Sequence, residues 1–232
     1  MDWSPVWISM KTASCAGAVT FFLGIFAAWK VVGFKRRRSK ILWDAAFTLP
    51  MVLPPTVAGF FLLYIFGVKR PAGRFLAKFF GVKIAFSWQA AVLAAAVISF
   101  PLMYRAARGA FEQVDGTLIE AGRTLGMSEW DIFWKIVFPG AFPGIISGGI
   151  LAFARGLGEF GATAMIAGNI AGKTRTLPLA VYSEVAAGHM EKAWPYVVVI
   201  IFIAFTAVAC MNIASFCQEC RGWGGNGKGV GS

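Results

Sequence analysis

The sequence predicts an all-α protein that crosses a membrane several times. Three observations carry that prediction: an apolar composition, apolar runs of spanning length, and basic and aromatic residues gathered where those runs end. Of 232 residues, 58% are hydrophobic and only 14% are charged. A soluble domain carries about 25% charged residues, whereas each helix that crosses a bilayer takes roughly 20 apolar ones. The net charge of +11 is spread beside the apolar runs and does not form one polar face. Its natural partner is therefore anionic membrane lipid, with no nucleic acid implied. Trp3, Trp7, Trp29, Trp43, Trp88 and Trp194 all lie near run ends, where an apolar ring with one N–H sits best.

Five runs stand out, at about residues 12–34, 45–67, 84–104, 138–170 and 193–218. At about 1.5 Å per residue each one reaches across a hydrocarbon core of about 30 Å. Helix is the expected form, because backbone groups in lipid must be paired within their own segment. The first run is too long for a signal peptide and is followed by Lys35, Arg36, Arg37, Arg38 and Lys40. That cluster anchors the first loop on the cytoplasmic side and leaves the N-terminus outside. Five spans then place 105–137 and the tail 219–232 in the cytoplasm, with 177–190 as a candidate sixth, shorter helix. The outer loop 67–85 runs against this charge bias, with Lys69, Arg70, Arg74, Lys78 and Lys83. There the four-residue spacing of Arg74 with Lys78, and of Phe75 with Phe79, suits a short amphipathic surface helix. Pro50, Pro54, Pro55 and Pro101 interrupt the helical ladder, and Gly144, Gly148 and Gly149 permit close helix contact.

Several patterns look like chemistry without its setting. Gly156, Gly158 and Gly161 match a dinucleotide fingerprint, but no strand precedes them. Gly168 to Thr174 resembles a phosphate loop with one residue too few between its glycines. A single histidine, His189, leaves no credible catalytic triad, and Cys217 with Cys220 is a lone CxxC pair, read as reduced thiols. No catalytic residue, cofactor or metal is expected.

The informative stretch is Glu120-Ala121-Gly122, three residues, Gly126, nine residues, then Ile136-Val137-Phe138-Pro139. It resembles the EAA signature of binding-protein-dependent ABC importer permeases, EAA-x3-G-x9-I-x-L-P, with Gly122 in place of the second Ala and Phe138 in place of Leu. The resemblance implies a type I ABC importer permease fold over about 8–218, with five or six transmembrane helices. It also implies a homodimer in the cell inner membrane, two separate ATP-binding cassette ATPase subunits and an external solute-binding protein. Glu120, Ala121, Gly122, Gly126, Ile136 and Pro139 would form the hook that engages the ATPase. The residues suit that task. Small side chains at 121 and 122 allow close approach, Gly126 allows the turn out of a helix, and Glu120 suits the dipole at the start of one.

Four further stretches resemble molybdate permeases. They are Leu49-Pro-Met-Val-Leu-Pro-Pro55, Phe86-Ser-Trp-Gln-Ala-Ala-Val-Leu-Ala-Ala-Ala96, Phe153-Ala-Arg-Gly-Leu-Gly-Glu-Phe-Gly-Ala-Thr163 and Thr174-Arg-Thr-Leu-Pro178. Sulfate permeases share the Gly-Glu-Phe-Gly core, so sulfate or tungstate is the alternative cargo. An ion-coupled secondary transporter built on Arg155 and Glu159 is the rival class. A charge at mid-bilayer costs about 2.5–3.5 kcal/mol on insertion scales, so these two should face protein or water. Four residues apart, they can pair with each other or across a dimer interface. A clamp is favoured over a pathway role, because a strong internal site would trap the anion.

Overall fold

The structure is a computed structural model that describes residues 2–34, 36–81 and 84–226, with side chains described through residue 213 except at 76, 77 and 80. The helices are α1 (Ser4–Val32), α2 (Arg37–Val52), α3 (Pro55–Phe66), α4 (Pro71–Phe80), α5 (Trp88–Glu112) and α6 (Gly116–Thr124). Then α7 (Glu129–Ile132) runs through a π-helical turn (Phe133–Val137) into α8 (Phe138–Leu157), followed by α9 (Gly161–Ile166), α10 (Leu177–Ala186) and α11 (Met190–Asn226). Among the described residues, four helical segments are long and apolar enough to cross a membrane: α1, α5, Glu129–Leu157 and Met190–Ile213. A fifth arises if α2 and α3 are counted as one broken span.

The run at 45–67, expected as one helix, is two helices bent by 108°. Pro54 and Pro55 explain the break. Neither has an N–H, and each pushes the residue before it out of helical geometry, so Leu53 and Pro54 are extended. The ladder restarts when the N–H groups of Val57 and Ala58 donate to Pro54 O at 2.9 and 3.1 Å. Pro50, by contrast, is absorbed inside α2. A second break divides the run at 138–170, since α8 ends at Leu157 and α9 begins at Gly161. The loop expected at 105–137 is mostly helix. Charged side chains carry α5 on to Glu112, where Arg108 Nε and Lys40 Nζ lie 3.1 and 2.7 Å from Glu112 Oε1. At ten residues, α10 is about 15 Å long, too short to cross a bilayer. The surface helix expected in 67–85 is α4, with the Phe75 and Phe79 rings 4.6 Å apart. The tail expected at 219–232 begins within α11. Residues 227–232 and the side chains of Cys217 and Cys220 lie outside the described set.

Small residues hold the bundle together, as they must where lipid supplies no hydrophobic drive between helices. One core joins α1, α5 and α8 through Ala27, Ala28, Met103, Ala107, Ala141 and Ile145. A Cβ at Gly24 would sit 2.6 Å from Met103 Cγ, and one at Gly144 would sit 2.8 Å from Ala110 Cβ. A second core joins α3, α5 and α9 through Ala58, Leu62, Ala91, Ala94, Ala162 and Ile166. At its tightest point a Cβ on Gly59 would lie 2.7 Å from Ala162 Cα. Helix α11 packs loosely and leaves Ile201, Phe202 and Phe205 exposed.

Gly59→Ala should therefore overpack this contact at a cost of about 1–3 kcal/mol. Thermal unfolding of the detergent-solubilised protein should begin several degrees lower. Gly33→Ala, whose new Cβ finds nothing closer than 3.6 Å, should unfold like the wild type.

Candidate functional site

Helix α6 is a short hook between two spans, and both its ends are chemically defined. Asp115 caps its start, accepting the Thr117 N–H at 2.9 Å. That bond holds the Asp115 carboxyl below the usual carboxylate range. The other end closes in the two-bond pattern that requires a left-handed residue. Met127 N donates to Gly122 O and Gly126 N to Arg123 O, each at 3.0 Å, with Gly126 at φ +76°. Between the caps, Gly122 is the one buried residue of α6, while Glu120 and Ala121 face outward. Gly122 lies against the next helical segment so closely that a Cβ there would come within 3.0 Å of Ile136 Cδ1 and 3.2 Å of Ile132 Cγ1. The two halves of the sequence signature therefore touch each other.

The segment that receives this contact is itself tied down. Ser128 caps α7 by accepting the Asp131 N–H at 3.1 Å, and its hydroxyl donates to Asp131 Oδ2 at 2.6 Å. Arg123 grips Glu129 with two bonds of 2.7 and 3.2 Å, joining α6 to α7. Pro139 gives a physical reason for the π-helical turn. It has no N–H to return to residue 135 and its ring crowds that carbonyl, and the adjacent Phe138 N–H reaches back five residues to Phe133 O. Such turns are frequent where helices carry function. Phe133 then anchors an aromatic cluster, with ring centroids 5.2 Å from Trp29 of α1, 6.1 Å from Phe111 of α5 and 6.0 Å from Phe138 of α8. Outward from this base, Leu118 is 54% exposed, Leu125 80% and Trp130 63%.

The intramembrane charges sit at the second helix break. Arg155 Nη1 donates to Glu159 Oε2 at 2.8 Å, and Glu159 Oε1 accepts the Ala162 N–H at 2.8 Å. Glu159 is nearly fully buried, while Arg155 is about one-third exposed. The carboxylate thus serves the freed backbone at the start of α9 as well as the guanidinium. Just beyond it, Gly161 packs on the first break, where a Cβ would lie 3.0 Å from Pro55 Cβ and 3.2 Å from Thr56 N. The glycine pattern around Gly158 is the surface of a helix break.

Sequence reasoning missed one network. Arg108 pairs with both Asp44 and Glu112, Lys40 pairs with Glu112, and the Tyr104 hydroxyl donates to Asp44 Oδ1 at 3.0 Å. It pins α2 to α5 at the end of the bundle from which α6 projects. The available signal was that Asp44 is the one acidic residue between Asp2 and Glu112.

With this arrangement in view, comparison with known proteins is decisive. The family described as the binding-protein-dependent transport system inner membrane component matches residues 20–216. This chain belongs to that family. It is a multi-pass membrane permease and not itself an enzyme; its family works with a separate ATPase subunit and a substrate-binding partner. The permease is 49% identical over 182 residues to the molybdenum transport system permease protein ModB of Escherichia coli, covering 78% of this chain and 79% of that one. To ModB of Haemophilus influenzae it is 43% identical over 192 residues, 83% of each chain. The fold is shared with a chain of the MetNI methionine ABC transporter in an inward-facing conformation, with a TM-score of 0.66, 19% identity, and 90% and 94% of the two chains covered.

Gly126→Ala should cost about 1–2 kcal/mol, because an L side chain resists the left-handed region. Amide exchange through α6 should quicken while that of α5 and α8 stays unchanged.

Proposed function

We propose that this permease carries molybdate inward as a homodimer, each copy engaging one ATP-binding cassette ATPase through α6, with an external molybdate-binding protein supplying the anion. The observation that carries the reading is the contact of Gly122 with Ile132 and Ile136. A hook whose inner face is seated on a spanning helix, and whose outer face offers Leu118, Leu125 and Trp130, suits the transfer of movement from a soluble motor to the bundle. Glu120, Ala121, Gly126 and Pro139 serve it as outward face, turn and helix start. Alternating access follows in outline: closure of the ATPases on ATP swings the two hooks, the bundle opens outward, and hydrolysis returns it inward. In this reading the N-terminus is external, and α6 and the C-terminus are cytoplasmic.

Molybdate is the favoured cargo because both relatives compared above are named for molybdenum transport and cover about four-fifths of the chain. The pairing of Arg155 with Glu159 and Ala162 favours a clamp that holds the helix break, and it leaves neither charge free to carry a coupling ion.

The test is uptake of labelled molybdate into proteoliposomes holding the permease, its ATPase and its binding protein. Uptake should need ATP, and Leu125→Asp should cut it at least tenfold by placing a charge on the docking face, at a cost of several kcal/mol. Uptake driven by an ion gradient without the ATPase would contradict the proposal, and preference for sulfate would contradict its cargo. Glu159→Gln, which keeps the shape and removes the charge, should slow uptake more than it lowers thermal stability.

A further inference from the structure

At the end of α5 away from the hook, a cavity of about 350 Å³ opens beside α3. Its apolar wall includes Phe60 and Tyr64 of α3, Val68 of the following turn and Phe86 just before α5, and Lys69 and Arg70 line it as well. Phe60, Tyr64, Val68 and Phe86 are each about half exposed, so the cavity faces outward from the bundle. The Phe60 and Tyr64 rings stack at 6.2 Å, and the Arg70 guanidinium lies 3.9 Å from the Tyr64 ring centroid. That contact holds a cation against the apolar wall. Phe86 is held at φ +59°, a region that L side chains resist, while its N–H donates to Ile166 O at 2.9 Å.

The cations here lack acids. Lys69, Arg70, Arg74, Lys78 and Lys83 fall in a stretch with no acidic residue between Asp44 and Glu112. Among the described residues, none of Lys69, Arg70, Arg74 and Lys78 has an ion pair; the pairs engage Lys40, Arg108, Arg123, Lys135, Arg155 and His189 instead. Arg74 donates two bonds, of 3.0 and 2.8 Å, to Lys69 O. Gly73 packs so tightly on the carbonyls of Phe66 and Gly67 that a Cβ there would collide with both. The turn from α3 into α4 is thereby held closed, with Lys69 and Arg70 on the cavity. Trp88 marks the depth. Its indole N–H donates to Thr12 Oγ1 at 2.9 Å, and Lys11 Nζ lies 4.1 Å from its ring centroid. Such a Trp and Lys at helix ends belong at the headgroup level of a bilayer, and Phe86 is only two residues away.

We propose that this cavity binds an anionic phospholipid, with its phosphate between Lys69 and Arg70 and the upper part of one acyl chain along Phe60, Tyr64 and Phe86. A free oxyanion would use the cations and leave the apolar wall wet. A zwitterionic lipid would cover the wall and leave the excess charge uncompensated. An acidic protein surface would neutralise the cations without reaching rings that lie along a spanning helix. Helix α4 adds to the attraction, with Arg74 and Lys78 four residues apart and Phe75 and Phe79 exposed beside them. The site is independent of the cargo and of the hook, from which the 25 residues of α5 separate it by about 37 Å.

The test uses a phosphatidylglycerol probe with a photoactivatable diazirine near the start of one acyl chain, and the matching phosphatidylcholine probe. Each would be added in trace to phosphatidylcholine nanodiscs holding the permease with its ATPase, and adducts mapped by mass spectrometry. The phosphatidylglycerol probe should label 60–68 and 84–88 severalfold more than the phosphatidylcholine probe, while both label exposed Phe202 and Phe205 of α11 equally. Lys69→Gln combined with Arg70→Gln should abolish that preference and leave thermal unfolding and ATPase assembly unchanged, since both side chains are exposed. Equal labelling of 60–68 and 84–88 by the two probes would reduce the cavity to ordinary lipid contact and overturn the proposal. Displacement of the phosphatidylglycerol probe by inorganic phosphate or molybdate at fixed ionic strength would assign the cations to a free oxyanion, and would overturn it too. So would a double variant that binds the external solute-binding protein more weakly and keeps its lipid preference, because the cations would then serve a protein surface.

Discussion

Inside a bilayer, a backbone N–H or C=O has no water to turn to, so a spanning helix can break only where protein covers the break. Among the described residues, two apolar runs break, between α2 and α3 and between α8 and α9, and the two breaks cover each other. Gly161 at the start of α9 lies against Pro55 and Thr56 at the start of α3, and Gly59 lets α3 approach the backbone of α9 at Ala162. Glu159 completes the arrangement by accepting the Ala162 N–H and holding Arg155. Remove the close glycine contacts and the freed backbone groups face lipid. The broken geometry of α2–α3 and α8–α9 therefore depends on side chains that are absent.

Two regions of the chain divide the work. Around the breaks, α3 and α9 form one small core with α5, held by alanines and a buried carboxylate. Around the hook, α1, α5 and α8 are joined by aromatic rings centred on Phe133, and α2 is fastened to α5 by the Asp44–Arg108–Glu112–Lys40 network. α5 and α8 run through both regions. In the proposed coupling, a push on α6 would meet Ile132 and Ile136 first, then the aromatic cluster, then the long axes of those two helices. These contacts form one continuous packed route.

Much of the fold was legible in the sequence because composition is a strong constraint in lipid. The runs at 12–34, 84–104 and 193–218 correspond to α1, α5 and α11, since long uncharged segments there have no alternative to helix. The spacing from Glu120 to Pro139 identified the family. Pairing of Arg155 with Glu159 followed from their four-residue separation. The broken second run was illegible, because Pro54 and Pro55 look no more disruptive than Pro50 or Pro101, which α2 and α5 absorb. Two prolines in a row break the ladder, and the glycine that makes room for the restarted helix, Gly161, lies far away in the sequence. The tie between Asp44 and Arg108 was hidden for the same reason: it joins different helices, and only tertiary packing brings them together.

The account turns on α6 lying on the ATPase side of the membrane and bearing the contact with that partner. Its most direct measurement is a single cysteine at Leu125 in a background where the four native cysteines are replaced, assayed in right-side-out vesicles that contain the ATPase. The account predicts protection from a membrane-impermeant external thiol reagent and efficient cross-linking to the ATPase subunit, altered by ATP. Labelling from outside, or the absence of any cross-link to the ATPase, would contradict it.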